Sequence, residues 1–190
     1  MRNFVKIAQG VDVMPLLLAL HRQPELWHED TYIRNYPQGP FGEVDSIMLR
    51  FPEKALVDSV AAQQAFLAEH DQHESIDYPA YAALPEARPL IMNLMTYVGG
   101  TRLGRCLINR IVPGGRITPH ADSADHAEYY DRHHIVIQAA PGVDFRCGEE
   151  HAMMQTGEIW WFENAIEHEV VNNSGQDRIH LIVDIRSARA

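Results

Sequence analysis

The chain has 190 residues, a formal net charge of −10 with its eleven histidines neutral, and two cysteines. That length suits one domain with a core large enough to enclose a site. The acidity argues against a general phosphate-binding surface and so against nucleic acid as a partner. Cys106 and Cys147 form no close pair, which speaks against a disulfide framework and a Cys-based zinc site and fits two free thiols in a reducing compartment.

The longest apolar run near the N-terminus, Pro15 to Leu20, is too short to span a membrane, and no signal-peptide pattern precedes it. A cytoplasmic protein with no membrane partner is the expectation. Asp12, Pro15 and the spacing of Leu16, Leu17 and Leu20 predict a helix from about Val13 to Gln23. SIMLRF, Ser46 to Phe51, reads as a strand. A second helix is expected from Glu53 to about Glu69, carrying Leu56, Val57, Val60, Phe66 and Leu67 on one side. A third is expected from near Pro89 to a stop at Gly99 and Gly100.

From Arg105 the pattern changes to runs of five to eight residues, apolar or alternating, broken by turn signals: CLINRIV, PGG, RITPHAD, HHIVIQAA, PG, VDFRC, EHAMM, TG, EIWWFE, HEVVNN, SGQ and DRIHLIVDI. Short strands punctuated in this way predict a barrel or sandwich. No repeat or linker divides the chain, so a single α+β domain is expected, mainly helical over residues 1–104 and mainly β over 105–187.

HxD triplets occur twice, at His28–Asp30 and His120–Asp122, with a near relative at His126–Glu128. In a chain this rich in histidine the triplet alone proves little, and context selects among them. His28 and Asp30 lie between helix and loop. His120 and Asp122 end an extended run, where residues two apart share a face and reach one ion. His168 opens HEVVNN, 48 residues after His120, and is the candidate third ligand. Two imidazoles and a carboxylate on one side of an ion leave adjacent positions open, which suits non-haem Fe(II), while zinc accepts the same donors.

Arg178 opens the strand RIHLIVDI, where alternation sets Arg178 and His180 on one face and Ile179, Leu181 and Val183 on the other. Facing inward, its fork of donors matches a carboxylate; facing outward, it is an edge charge beside Asp177. In HHIVIQAA, His134, Val136 and Gln138 share one face and Ile135 and Ile137 the other, which would pack on the N-terminal helices. Arg132 and His134 then point together into the cavity or are satisfied in the core.

These segments resemble the aspartyl/asparaginyl β-hydroxylase branch of the 2-oxoglutarate oxygenases. The motifs NRIVPGGRITPHAD, RHH, GEIWWFENAIEHEVVNNS and DRIHLIVD stand in family order over about Arg105 to Ile185. The resemblance implies a double-stranded β-helix (jelly roll) with helices packed on the major sheet. It also implies iron on His120 and His168, and 2-oxoglutarate on Arg178, with Arg132, His134 and Asn109 as further cosubstrate contacts. Asp122 stands where the animal enzyme of this branch has glycine, which restores the full triad of the wider superfamily. The interval from His120 to Arg132 is longer than the family pattern.

The expected function is an Fe(II)- and 2-oxoglutarate-dependent dioxygenase that hydroxylates an amino acid or a peptide or protein side chain, using O2 and releasing succinate and carbon dioxide. His120, Asp122 and His168 would be the catalytic metal ligands, and Arg50 and Trp161 the candidate substrate contacts. Two rivals use fewer of these residues. A cupin-like zinc or nickel enzyme or small-molecule sensor needs the triad without Arg178, and an interaction module on an inactive barrel needs no metal.

Overall fold

In the computed structural model, which describes residues 1–35, 39–56 and 59–187, the alternating segments of the second half become two facing antiparallel sheets. The first half supplies β1 (Phe4–Ala8), α1 (Met14–Arg22), α2 (Leu26–Glu29), β2 (Asp45–Phe51), α3 (Val60–Glu69), β3 (Ile76–Asp77), α4 (Pro79–Ala83) and α5 (Ala87–Tyr97). The second supplies β4 (Gly100–Ile111), β5 (Arg116–His120), α6 (Ala124–Tyr129), β6 (Asp131–Gln138), β7 (Val143–Cys147), β8 (Glu150–Ala152), β9 (Ile159–Phe162), β10 (His168–Asn172) and β11 (Arg178–Ser187).

One sheet runs β1-β9-β6-β11-β4-β2-β3 and the other β5-β10-β7-β8. Strands β4 to β11 thus divide four and four between the sheets, the arrangement of a double-stranded β-helix. Strands β1, β2 and β3 of the first half lengthen the larger sheet at both edges.

Alternation along β11 decides what each side of this sheet does. Ile179, Leu181, Val183 and Ile185 join Ile135 and Ile137 of β6 against Leu16, Leu20, Ile91 and Leu94 of α1 and α5. Each such side chain contributes about 1.5–3 kcal/mol on burial, enough to fix the helices on this face. Arg178, His180, Ile182 and Asp184 turn the other way, into the barrel, and all four are buried. Between the sheets an apolar layer of Phe4, Val136, Phe145, Trp160, Phe162 and Val170 closes the far end.

The chain passes from β4 in one sheet to β5 in the other through Val-Pro-Gly-Gly. Gly114 adopts φ 81°, a conformation glycine takes without steric cost. Its amide donates to Asn172 O at 2.8 Å, which ties the turn to the end of β10.

The helices differ from the sequence expectation at their boundaries. The second begins at Val60, where Ser59 Oγ accepts from Ala62 N at 3.2 Å, and Leu56 is exposed ahead of it. Val57 lies outside the described residues, as do the side chains of Val60 and Leu67. The third helix starts at Ala87, so that Pro89 falls in its first turn, where no intrahelical donor is needed. Both cysteines are buried and unpaired. Among the described residues no helix is long and apolar enough to cross a membrane.

Candidate metal centre and its cleft

Strand β10 pairs antiparallel with β5, and the register sets His168 opposite His120. Their rings lie 4.2 Å apart between centroids. Asp122 follows two residues after His120, its amide donating to Asn164 O at 3.0 Å. One ligand atom from each of His120, Asp122 and His168 lies within 4.8 Å of the others. The other triplets do not gather in this way. His28 is exposed, Asp30 pairs with Lys54, and His126 is turned to Asp184 at 2.8 Å.

The donor atoms fit a metal ion. His120 Nδ1 lies 2.8 Å from Thr118 O and His168 Nδ1 2.9 Å from Ile166 O, so each ring gives its Nδ1 proton to a carbonyl and keeps an Nε2 lone pair for an ion. Asp122 Oδ2 accepts from Arg132 Nη1 at 2.5 Å and from Asn164 Nδ2 at 2.7 Å, and Oδ1 remains for coordination. Burial pushes the Asp122 carboxyl up, but Arg132 and Asn164 outweigh it and hold the carboxyl below its ordinary range. Burial pushes His168 down to about 4, so the imidazole is neutral, the form a metal needs. Two imidazoles and one carboxylate with open neighbouring positions match non-haem iron.

Arg132 is occupied on both sides. Its Nε and Nη2 hold the two oxygens of Asp184 at 2.8 and 2.9 Å, while Nη1 holds Asp122. Burial opposes its charge, yet Asp122 and Asp184 raise its pKa above the ordinary value. The guanidinium therefore orients the candidate metal ligand Asp122, and although it lines the cleft, each of its nitrogens is already engaged by a carboxylate.

Arg178 is the opposite case. It is fully buried, and among the described residues nothing accepts from its Nε or Nη1. Its Nη2 lies 3.4 Å from His134 Nδ1, and its guanidinium lies 5.9 Å from the centre of the Phe145 ring. Burial alone pushes its pKa down to about 9. Phe145 is in turn 6.2 Å from the His168 ring, and Phe162 lies between His134 and His168 at 5.2 and 4.9 Å. Arg178 thus sits deeper in the barrel than the triad, one aromatic layer away. His134 Nδ1 and His180 Nδ1 are 3.1 Å apart, and burial holds both rings neutral.

Beside the triad opens a cleft of about 430 Å³, walled by Phe41, Phe51, Leu107 and Ile182 and by the polar groups of Asn109, Asp122 and Arg132. Asn109 Oδ1 accepts from Ser46 Oγ at 2.9 Å. The two expected substrate contacts lie elsewhere. Trp161 alternates with Trp160 and Phe162, faces away from the barrel, and donates to Asp131 at 3.3 Å. A register shift between Met48 and Arg50 on β2 sets Arg50 opposite Cys106, whose side chain belongs to the helix-facing core, and Arg50 pairs there with Asp77 and with Ser75 O at 2.7 Å. The same shift brings Phe51 to the cleft.

Sequence reasoning missed Asp184 and Asn164, which hold Arg132 and Asp122, and Arg105, which lines the cleft. Asp184 shares the parity of Arg178 and His180 on β11, and Arg105 that of Asn109 on β4, so strand alternation carried a signal for both. Asn164 lies in a turn, where it carried none.

A jelly roll with two histidines and one aspartate gathered on one side of the barrel fits a metal-dependent protein of this fold, the iron-dependent oxygenases among them. The chain belongs to the aspartyl/asparaginyl β-hydroxylase family, whose sequence model matches residues 56–188. Among solved structures, it is similar to a 2OG-Fe(II) oxygenase family oxidoreductase from Burkholderia pseudomallei. That match has 17% identity and a TM-score of 0.52 and covers 97% of this chain and 84% of that one. It is also similar to a prolyl-4-hydroxylase from Pseudomonas putida, with 14% identity and a TM-score of 0.51, over 100% of this chain and 95% of the other. At these identities the likeness shows the fold. No curated protein sequence matches the chain.

Proposed function

We propose that the protein is an Fe(II)- and 2-oxoglutarate-dependent hydroxylase acting on a small molecule or peptide. The observation that carries this reading is Arg178, a fully buried guanidinium with two nitrogens that find no partner among the described residues, in the barrel that holds the triad. A buried charge left unpaired costs several kcal/mol, on the order of what breaking a buried ion pair costs, so an anion is its natural complement. A plain zinc or nickel jelly roll has no use for that cation.

His120 Nε2, His168 Nε2 and Asp122 Oδ1 would hold the iron, and Arg178 with His134 would receive the far carboxylate of 2-oxoglutarate. Iron with this cosubstrate supplies oxidising power from O2 for hydroxylation of an unactivated carbon. The chain's own residues bind and aim. Arg132 and Asn164 fix the Asp122 carboxylate, the Thr118 and Ile166 carbonyls fix the two rings, and Phe145 and Phe162 pack between Arg178 and His168. Asn109, on the cleft wall, would be a further cosubstrate contact.

Succinate formation from 2-oxoglutarate by anaerobically iron-loaded protein, started by admitting air, tests the reading. Turnover that depends on both iron and air is expected, and its absence across a broad panel of amino acids and peptides, with 2-oxoglutarate failing to bind, would overturn it.

A further inference from the structure

Arg105 is a second cation of the barrel that forms no ion pair among the described residues. Along β4, Arg105, Leu107 and Asn109 alternate onto the same side, and all three line the cleft beside His120 and Asp122. Its Nε is shielded from solvent and finds no acceptor among the described residues. Its guanidinium lies 5.1 Å from the centre of the Phe51 ring, which forms one wall of the same cleft.

The other arginines nearby are treated differently. Arg110 pairs with Asp45, Arg50 with Asp77, Arg102 with Asp71, and Arg132 with Asp122 and Asp184. The carboxylates whose fields reach Arg105 are Asp184 and Asp122, and Arg132 already holds both.

A guanidinium presents a rigid fork that matches a carboxylate, and an aromatic wall below it keeps that fork in place. The cleft also has an apolar wall, through Ile33, Phe41, Leu107 and Ile182, with Gln72 and the exposed Glu53, 4.0 Å from His70, among its polar residues, and its volume suits a small molecule. We propose that Arg105 is the substrate-recognition residue, binding the carboxylate of a small acid whose apolar body fills the cleft beside His120, Asp122 and His168. This rests on the oxygenase reading and adds the class of substrate to it. Arg178, deeper in the barrel, would serve the cosubstrate, so the two carboxylates have separate cations.

The test compares free acids with their methyl esters, using L-leucine, L-phenylalanine, L-proline, hexanoate and octanoate. Binding to the Mn(II)-loaded protein, which retains the metal without turnover, is read by thermal shift with and without 2-oxoglutarate, alongside 2-oxoglutarate binding itself. At least one acid is expected to bind about tenfold or more tightly than its ester, the scale of a charge-assisted hydrogen bond. Arg105→Met should erase that preference and Arg105→Lys keep part of it, with 2-oxoglutarate binding unchanged in both.

The proposal falls if no acid is preferred to its ester, or if Arg105→Met binds acids like the unaltered protein. Should Arg105→Met fail to fold, the acid and ester comparison on the unaltered protein still decides. Failure of 2-oxoglutarate to bind the unaltered protein is a separate result, and it overturns the oxygenase reading.

Discussion

Arg132 holds Asp122 Oδ2 through Nη1 at 2.5 Å while its other two nitrogens grip both oxygens of Asp184. The candidate metal ligand on the cleft is thereby tied to a fully buried carboxylate of β11. His126 Nε2, 2.8 Å from Asp184 Oδ2, closes the network on its far side. Arg132→Met is expected to weaken Mn(II) binding about 10–100-fold, as loss of a hydrogen bond to a metal ligand commonly does. It should also destabilise the metal-free protein by about 3–5 kcal/mol, because the buried Asp184 loses its cationic partner and keeps only His126, whose own pKa burial lowers. Metal competition titration and urea denaturation read the two effects separately.

Arg178→Met carries the opposite sign for stability. The guanidinium is buried without a carboxylate partner among the described residues, so an apolar side chain of similar length is expected to stabilise the metal-free protein by about 1–4 kcal/mol. A rise in the urea midpoint together with lost 2-oxoglutarate binding is the predicted pair of results. A protein equally stable or weaker, binding the cosubstrate as before, would make Arg178 a structural residue.

Burial holds His126, His133, His134, His168 and His180 all below the ordinary histidine pKa. The unfolded chain takes up protons on these rings as pH falls through about 6.5, and the folded protein does so only at lower pH. Stability is therefore full above that value and is lost as pH falls below it, by up to about 1.4 kcal/mol per pH unit for each histidine. Urea denaturation of the metal-free protein between pH 7.5 and about pH 5 should show this slope. His180→Gln should reduce it by one histidine's share.

Burial pushes the Cys106 thiol up beyond the usual range and the Cys147 thiol up to about 11. Neither presents a thiolate at neutral pH, so both should resist a thiol-specific reagent in the native protein and react only on unfolding. A colorimetric thiol count in the presence and absence of denaturant checks this.

The triad was legible in the sequence because two simple periodicities cooperate. Residues two apart in a strand share a face, which links His120 to Asp122, and an antiparallel neighbour then supplies His168 directly opposite. Arg178 was legible for the same reason, through the strict alternation of β11. The position of Arg50 was not legible, because a register shift on β2 turned its side chain to the helix face, and pairing geometry of that kind leaves no mark in a single strand's pattern. Trp161 shows a related limit. Three successive large aromatics offer no polar residue to mark the outward face, and only the pairing with His133 on β6 reveals it. The role of Arg132 depends on Asp184, 52 residues away, and local sequence does not report such a partner.

The most direct test of the central claim is an anaerobic titration of the Fe(II)-loaded protein with 2-oxoglutarate, followed by the visible charge-transfer absorption of the iron and keto-acid chelate. The expected result is a band that grows to saturation in the unaltered protein, is abolished in Asp122→Ala or His168→Ala, and fails to form at the same concentrations in Arg178→Met. A band of undiminished affinity in Arg178→Met, or none in the unaltered protein, would contradict the assignment of the triad to iron and of Arg178 to the cosubstrate.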